Sequence, residues 1–381
     1  MIIGIDASNL RAGGGLTHLV EFLKVAEPNR FGIEQIIVWG GSETLKKIDE
    51  QPWLKKEHDL QLDKSVLFRI YWQKFYLSKY AKTLKCDILF VPGGSYAGSF
   101  HPVVTMSRNM LPFEWNELKR YGWSYTGIRL LLLRFTQAKT FTNVDGLIFL
   151  TNYAKVIVSK VCKKISKKMN IIPHGIDERF FKEPDSLKIK RNISEDNPFH
   201  IIYVSIIDVY KHQWQVAKAV SNLRKEGIPI VVELIGPSYK PSFKRLQAVL
   251  KQVDPVGKYI RYKGSVPHKD LHSLYKNADL CLFASSCENL PNILLEGMAS
   301  GLPVVCSNKG PMLEVLGDAG LYFDPENPEG IAAAIKQMYG NKELRYEMAR
   351  KSFERARCYS WIRCADETLA FISSIKNKNL V

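Results

Sequence analysis

The chain has no apolar run long enough to span a bilayer. Its most apolar stretch, "LLLL" at 130–133, is closed off by Arg129 and Arg134. The opening "MIIGIDASNL" lacks the basic start and small-residue cleavage site of a secretion signal, and it reads as a strand. These absences point to the cytoplasm. The seven cysteines include no C-x-x-C pair and no zinc spacing. Cys281 and Cys306 fall inside apolar runs, so reduced, buried thiols are expected. There is no short internal repeat and no low-complexity segment. Acidic residues are in deficit: 38 against 54 basic ones leave a net charge of +16. The excess is spread over both halves. It favours anionic partners, but its dispersal argues against a nucleic-acid interface, which would gather basic and aromatic residues on one surface.

What is present is an alternation of short apolar runs with helical patterns. In the second half the runs are "FHIIYVSI", "IPIVVELIG", "YIRYKG", "DLCLFAS", "LPVVCS" and "GLYFD", with amphipathic segments between them. In the first half they are "MIIGID", "EQIIVWG", "CDILFVPG", "HPVVTMS", "VDGLIFLT" and "KMNIIP", with a long amphipathic helix near 66–85. Strands that are apolar throughout need both faces of their sheet covered, so each half is expected as a parallel, doubly wound α/β sheet. A chain of 381 residues exceeds one ordinary core. Two Rossmann-like domains are therefore expected, 1–180 and 181–360, joined through the polar stretch near 175–197. Residues 361–381, "WIRCADETLAFISSIKNKNLV", are expected as a closing amphipathic helix. Ligands of such sheets sit beyond the carboxyl ends of the strands.

Several residues follow strands. In "CENLPNILLEGMASGLPVV", Glu288 and Glu296 bracket seven residues. A helix should begin near Pro291, which would point the amides of Asn289, Leu290 and Asn292 and the positive end of the helix dipole at an anion. Glu296 falls among Ile293, Leu294, Leu295 and Met298. Two vicinal hydroxyls, such as a ribose diol, would balance a carboxylate placed there. A helix-cap glutamate and a solvated one are the plainer alternative. Lys211 stands at a helix start, where a cation opposes the dipole unless an anion pairs with it. Gly13, Gly14 and Gly15 follow the first strand and would let a phosphate or sugar approach the backbone. The Rossmann dinucleotide pattern G-x-G-x-x-G is not written there.

The stretch 288–305 resembles family 4 of the retaining glycosyltransferases, of the GT-B fold. That family carries two glutamates separated by seven residues, followed by G-M/A-A-x-G-x-P-V-V. The matching residues here are Glu288, Glu296, Gly297, Met298, Ala299, Gly301, Pro303, Val304 and Val305. "IIPHGIDERFF" resembles the family's junction turn, with Gly175 suited to a tight turn and His174 structural. The final "YSWIRCADETL" resembles the family's closing helix. The resemblance implies two Rossmann-like domains facing across a cleft, with the helix of residues 361–381 packing back on the first domain. It implies that Glu296 binds the nucleotide ribose, that Glu288 contacts the donor sugar, and that the Asn289–Asn292 segment, Pro291 included, holds sugar hydroxyls and diphosphate. Gly13, Gly14 and Gly15 match a loop facing the donor. Lys211 matches a diphosphate-binding lysine, whereas the arginine positions before it hold Ile206, Ile207 and Tyr210. Alignment on Pro112 puts Arg108 and Asn109 where relatives have His and Asp. Arg108 cannot act as a base and would instead hold a diphosphate or an anionic acceptor, an ordinary ion pair being the plainer reading.

These correspondences lead to the expectation of a retaining, metal-independent hexosyltransferase, with Glu288 and Lys211 catalytic. No D-x-D motif occurs, and no cofactor is expected. The donor would be a UDP- or GDP-sugar. The acceptor would be a glycan or lipid-linked saccharide in lipopolysaccharide O-antigen or capsule synthesis. The basic, aromatic segment "LFRIYWQKFYLSKYAKTLK" fits either an anionic membrane surface on the cytoplasmic side or a core helix with a solvated face. Competing readings are a nucleotide-sugar epimerase or hydrolase on the same fold, a non-catalytic nucleotide-sugar binder, and a dinucleotide oxidoreductase. The last leaves Glu288 and Glu296 without a role.

Overall fold

The structure is a computed structural model that describes residues 1–162, 164–166, 168–189 and 191–376. The chain divides into two compact units. The first comprises Met1–Leu118, Gly122–Gly175 and the segment from Ser360 onward; the second comprises Lys119–Tyr121 and Ile176–Tyr359. Of the expected closing segment, residues 377–381 lie outside the described residues.

The first unit is built on seven parallel strands: β1 (Ile2–Asp6), β2 (Gln35–Gly40), β3 (Leu54–His58), β4 (Ile88–Val91), β5 (Val103–Met106), β6 (Gly146–Phe149) and β7 (Met169–Ile171). They lie in the order β3-β2-β1-β4-β5-β6-β7. β3 is additional to the strands expected from the apolar runs. Its sequence, LKKEH, pairs with β2 at the sheet edge, where charged side chains meet water and no apolar run is required. The interior strands are buried along their length, as in Ile88–Val91 and Val103–Met106, because helices cover both faces.

The expected long helix is Val66–Trp72, a π-turn over Gln73–Leu77, and Ser78–Thr83. Gln73 of the π-turn donates its side-chain amide to the buried Asp6 carboxylate at the end of β1. The closing helix, Trp361–Lys376, packs against the helix Gly14–Val25 of the same unit. Lys376 pairs with Asp87 at 2.8 Å, and Arg30 with Asp366 at 3.1 Å. Gly175 has a different task from the tight turn expected of it. A Cβ there would lie 2.2 Å from the Trp361 backbone nitrogen, so glycine is required by close approach.

The second unit carries six parallel strands: β8 (Phe199–Val204), β9 (Ile230–Ile235), β10 (Ile260–Gly264), β11 (Leu280–Phe283), β12 (Val304–Ser307) and β13 (Leu321–Phe323). Their order is β10-β9-β8-β11-β12-β13. The short segment Lys119–Tyr121 is held to this unit by the Arg120–Glu326 ion pair and by the Tyr121–Tyr239 ring contact at 5.9 Å. Both sheets thus have the doubly wound order in which the chain reverses direction beside the first strand, between β1 and β4 and between β8 and β11. A crevice opens at the carboxyl ends of strands at such a reversal. Six of the seven cysteines are buried and all are free; Cys358, in the turn after the helix Lys342–Ala356, is exposed instead.

Candidate functional site

The loops after β8 and β11, adjacent strands at the reversal of the second sheet, carry the residues singled out by the sequence. Residues 205–212 leave β8 and lead to the helix Gln213–Lys225. Residues 284–291 leave β11 and lead to the helix Asn292–Ala299. The two loops are tied together. Ser286 N–H donates to Tyr210 O at 2.8 Å, and the buried His212 ring Nε2 lies 2.9 Å from Ser286 Oγ. His212 adopts a left-handed backbone with φ 52°, an uncommon geometry for a residue with a side chain. Burial lowers its imidazole to about 4, so it is neutral at physiological pH. Tyr203 Oη donates to Lys211 O at 2.6 Å and fixes the backbone from beneath.

Lys211 and Glu288, 77 positions apart, form an ion pair through Lys211 Nζ and Glu288 Oε1. Their side chains keep only 8% and 16% of their exposure. The ammonium also lies over the rings of Tyr210, at 4.9 Å, and Phe283, at 5.0 Å. Its charge is therefore balanced within the protein, and the expected pairing of Lys211 with an anion is met in part by Glu288. Close by, Pro291 caps the helix that begins at Asn292, as expected. Asn289 and Leu290 are buried in the approach to it. The Asn292 Oδ1 is buried without a partner.

Glu296 lies one turn into that helix and is buried. Its Oε1 accepts from His268 Nε2 at 2.9 Å, while Oε2 is buried with no partner. Burial pushes the carboxyl above the ordinary glutamate range, and the His268 bond opposes that rise. The same bond raises the imidazole of His268. An orphaned carboxylate oxygen is costly inside a protein unless a donor reaches it. The geometry thus leaves one acceptor open to an incoming hydroxyl. His268 carries no functional mark in the sequence, because it begins "HKDLHSLYKNA", which reads only as a helix. What sets it apart is the contact with Glu296 across 28 positions.

In the first unit, Gly13 has φ +70°, a conformation that suits glycine, and it caps the helix that starts at Gly14. A Cβ on Gly15 would lie 3.0 Å from Leu10 Cδ2. Arg108, after β5, donates from Nη2 to Gly14 O at 2.7 Å and lies 3.5 Å from His174 Nε2. Its Nη1 is buried without a partner. These contacts are a carbonyl and an imidazole rather than the carboxylate of an ordinary ion pair, and burial lowers the guanidinium to about 10. Asn109 Oδ1 accepts from Leu111 N–H at 3.1 Å, which commits that oxygen to the local turn. His174 is buried against His18, with centroids 4.7 Å apart, and against Trp361 at 5.7 Å. Burial holds both histidines neutral, far below the usual range. The structure thus gathers Lys211, Glu288, Asn289, Leu290, Pro291, Asn292 and Glu296 in the second unit. It gathers Gly13, Gly14, Gly15, Arg108 and Asn109 in the first.

Residues 185–355 match the profile of the family described as glycosyl transferases group 1. Over 111 residues the chain is 38% identical to the O-antigen chain mannosyltransferase B of Escherichia coli, covering 29% of each protein. It spans about half or less of the length of the curated relatives it matches. Among solved structures, sucrose-phosphate synthase from Thermosynechococcus elongatus superposes with a TM-score of 0.74 at 14% identity, over 97% of each chain. Anabaena HepE, solved in complex with UDP, superposes with a TM-score of 0.69 at 15% identity, over 98% of this chain and 99% of HepE. Residues 185–355, somewhat under half of the chain, thus carry the glycosyl transferases group 1 profile, and the chain shares the GT-B fold of these structures.

Proposed function

We propose that the protein transfers a hexose from a UDP- or GDP-sugar to a glycan or lipid-linked saccharide, with retention at the anomeric carbon and without a metal. The observation that carries this reading is the arrangement after β8 and β11: the Lys211–Glu288 pair, the helix start at Asn292, and Glu296 with one open oxygen. A sugar nucleotide needs a partner for its ribose, its diphosphate and its hexose, and these groups offer one for each. Glu296 Oε2 accepts from the ribose diol. Lys211 and the amides at the helix start stabilise the diphosphate, both when bound and as it departs. Glu288 exchanges its bond to Lys211 for a hydroxyl of the donor sugar. Attack on the same face within an ion pair gives retention; a double displacement would need a nucleophilic carboxylate opposite the leaving group. In the first unit, Arg108 with its open Nη1 suits an anionic group of the acceptor or the diphosphate, beside Asn109 and the Gly13–Gly15 loop. Complexes of neighbouring folds such as Anabaena HepE with UDP support a nucleotide donor. The E. coli O-antigen mannosyltransferase supports a role in surface polysaccharide assembly, the first unit taking the acceptor and the second the donor.

Membrane association fits the same reading. Among the described residues no helix is long and apolar enough to cross a bilayer. The helix that starts at Val66 buries Trp72, Leu77 and Ala81, yet it turns Leu67, Phe68, Ile70, Tyr71 and Phe75 outward among Lys64, Lys74, Lys79 and Lys82. An anionic bilayer surface on the cytoplasmic side would cover this face. Co-sedimentation with anionic liposomes checks it, and absence of binding at low salt removes the idea.

Incubation with a panel of UDP- and GDP-sugars and lipid-linked saccharides tests the activity, with transfer, hydrolysis and epimerisation scored together. Transfer with a retained linkage by NMR is expected. Epimerisation or hydrolysis alone would replace the reading, and an inverted linkage would overturn its stereochemistry.

A further inference from the structure

The Glu296 carboxylate does not stand alone. His268, the first residue of the helix His268–Asn277, donates to its Oε1 from Nε2. The other ring nitrogen, Nδ1, lies 3.4 Å from Arg179 Nη2. Arg179 is itself held by Asp177 at 2.7 Å. The imidazole lies against Phe180, with centroids 5.4 Å apart, and Phe180 is fully buried against Tyr275. Four groups from three segments therefore converge in a row: Asp177, Arg179, His268 and Glu296.

The row has a chemical direction. A guanidinium has donors and no acceptor, so the ring nitrogen facing Arg179 must offer its lone pair. A neutral His268 then carries its proton on Nε2, the nitrogen that faces Glu296. Phe180 restricts the tilt of the ring. The bond so formed occupies one carboxylate oxygen and fixes the torsion of the Glu296 carboxyl. That leaves Oε2, buried and unpartnered, as the acceptor presented to a ligand.

We propose that His268 is a positioning residue for nucleotide recognition: through Arg179 and Phe180 it is held in the tautomer and orientation that point Glu296 Oε2 at the ribose hydroxyls. This rests on the reading of Glu296 as the ribose-binding group. It goes beyond that reading by assigning the ribose selectivity of the second unit to a residue that does not touch the nucleotide.

The experiment measures binding of UDP and GDP, and of their 2′,3′-dideoxy counterparts, by calorimetry to wild type and to Glu296→Ala, His268→Leu and His268→Gln. The side chain of His268 is 43% exposed, so these substitutions should leave the fold intact. Wild type should prefer the ribonucleotide by about tenfold or more, the scale of a hydrogen bond to a charged group. Glu296→Ala should abolish the preference. His268→Leu should reduce it severalfold with little change in dideoxynucleotide affinity, and His268→Gln, which keeps an N–H donor, should restore most of it. A merely structural role would weaken both nucleotides alike. If His268→Leu keeps the full preference while Glu296→Ala loses it, the positioning role is overturned and the reading of Glu296 survives. If wild type shows no preference, the reading of Glu296 falls and the proposal falls with it.

Discussion

Removing the Glu288 carboxylate should destabilise the second unit, and removing the Lys211 ammonium as well should restore it. The pair is nearly buried, with 8% and 16% of side-chain exposure left, and the ammonium lies between two aromatic rings. Breaking such a pair strands one charge in a poorly solvated place, at a cost of about 3–5 kcal/mol, whereas replacing both partners by neutral groups of similar shape is nearly neutral. The residual exposure favours the lower end, about 3 kcal/mol for Glu288→Gln. For a unit of this size each kcal/mol lowers the melting temperature by about 2–4 °C, so a fall of roughly 6–12 °C is expected. Thermal unfolding of Glu288→Gln, Lys211→Met and the double variant measures this. The double variant should recover to within about 1 kcal/mol of wild type while remaining inactive. UDP or GDP should stabilise Glu288→Gln more than wild type, because its unpaired ammonium gains a phosphate. Losses that simply add in the double variant, with a coupling below about 0.5 kcal/mol, would refute the reasoning.

Four further outcomes follow from the geometry. Burial raises the folded pKa of Glu296, so its acceptor role is present above that pKa and lost as pH falls through it. Nucleotide affinity should therefore weaken on the acid side at a higher pH than an ordinary glutamate would give, a limb that calorimetry against pH should show and that Glu296→Gln should remove. His212 is lowered to about 4 from 6.5, so stability should drop as pH falls across that window, by about 3 kcal/mol over its full width. His212→Asn should flatten this limb in denaturant titrations; an unchanged limb would count against the assignment. Gly175→Ala would drive a methyl to 2.2 Å from the Trp361 backbone nitrogen, so a loss of at least ~2 kcal/mol is expected in unfolding experiments. Transfer should persist in excess EDTA, and loss of activity restored by magnesium or manganese would contradict the metal-independent reading.

The sequence was most readable where burial left no alternative. Strands such as LCLF and VVCS are apolar at every position because helices cover both sheet faces, so their alternation with helical segments announces a doubly wound sheet. The edge strand LKKEH was silent for the opposite reason, since an edge needs no apolar run. Glu288, Lys211 and Glu296 stood out because each places a charge after a strand or inside an apolar helix. What could not be read was which of them meet. The Lys211–Glu288 pair joins positions 77 apart, and His268 joins Glu296 from a segment whose own pattern is that of a plain amphipathic helix. In the sequence Gly175 suits a tight turn, whereas in the fold it admits the Trp361 backbone. Arg108 was equally legible as a residue and equally opaque in its contacts, because a carbonyl and an imidazole leave no trace in charge patterning.

The most direct measurement is a crystal structure of the protein soaked with UDP or GDP at saturating concentration. The ribose hydroxyls are expected within hydrogen-bond distance of Glu296 Oε2, with His268 still on Oε1 and the diphosphate at Lys211 beyond the ends of β8 and β11. Nucleotide bound at another place, with the Glu296 carboxylate untouched, would contradict this.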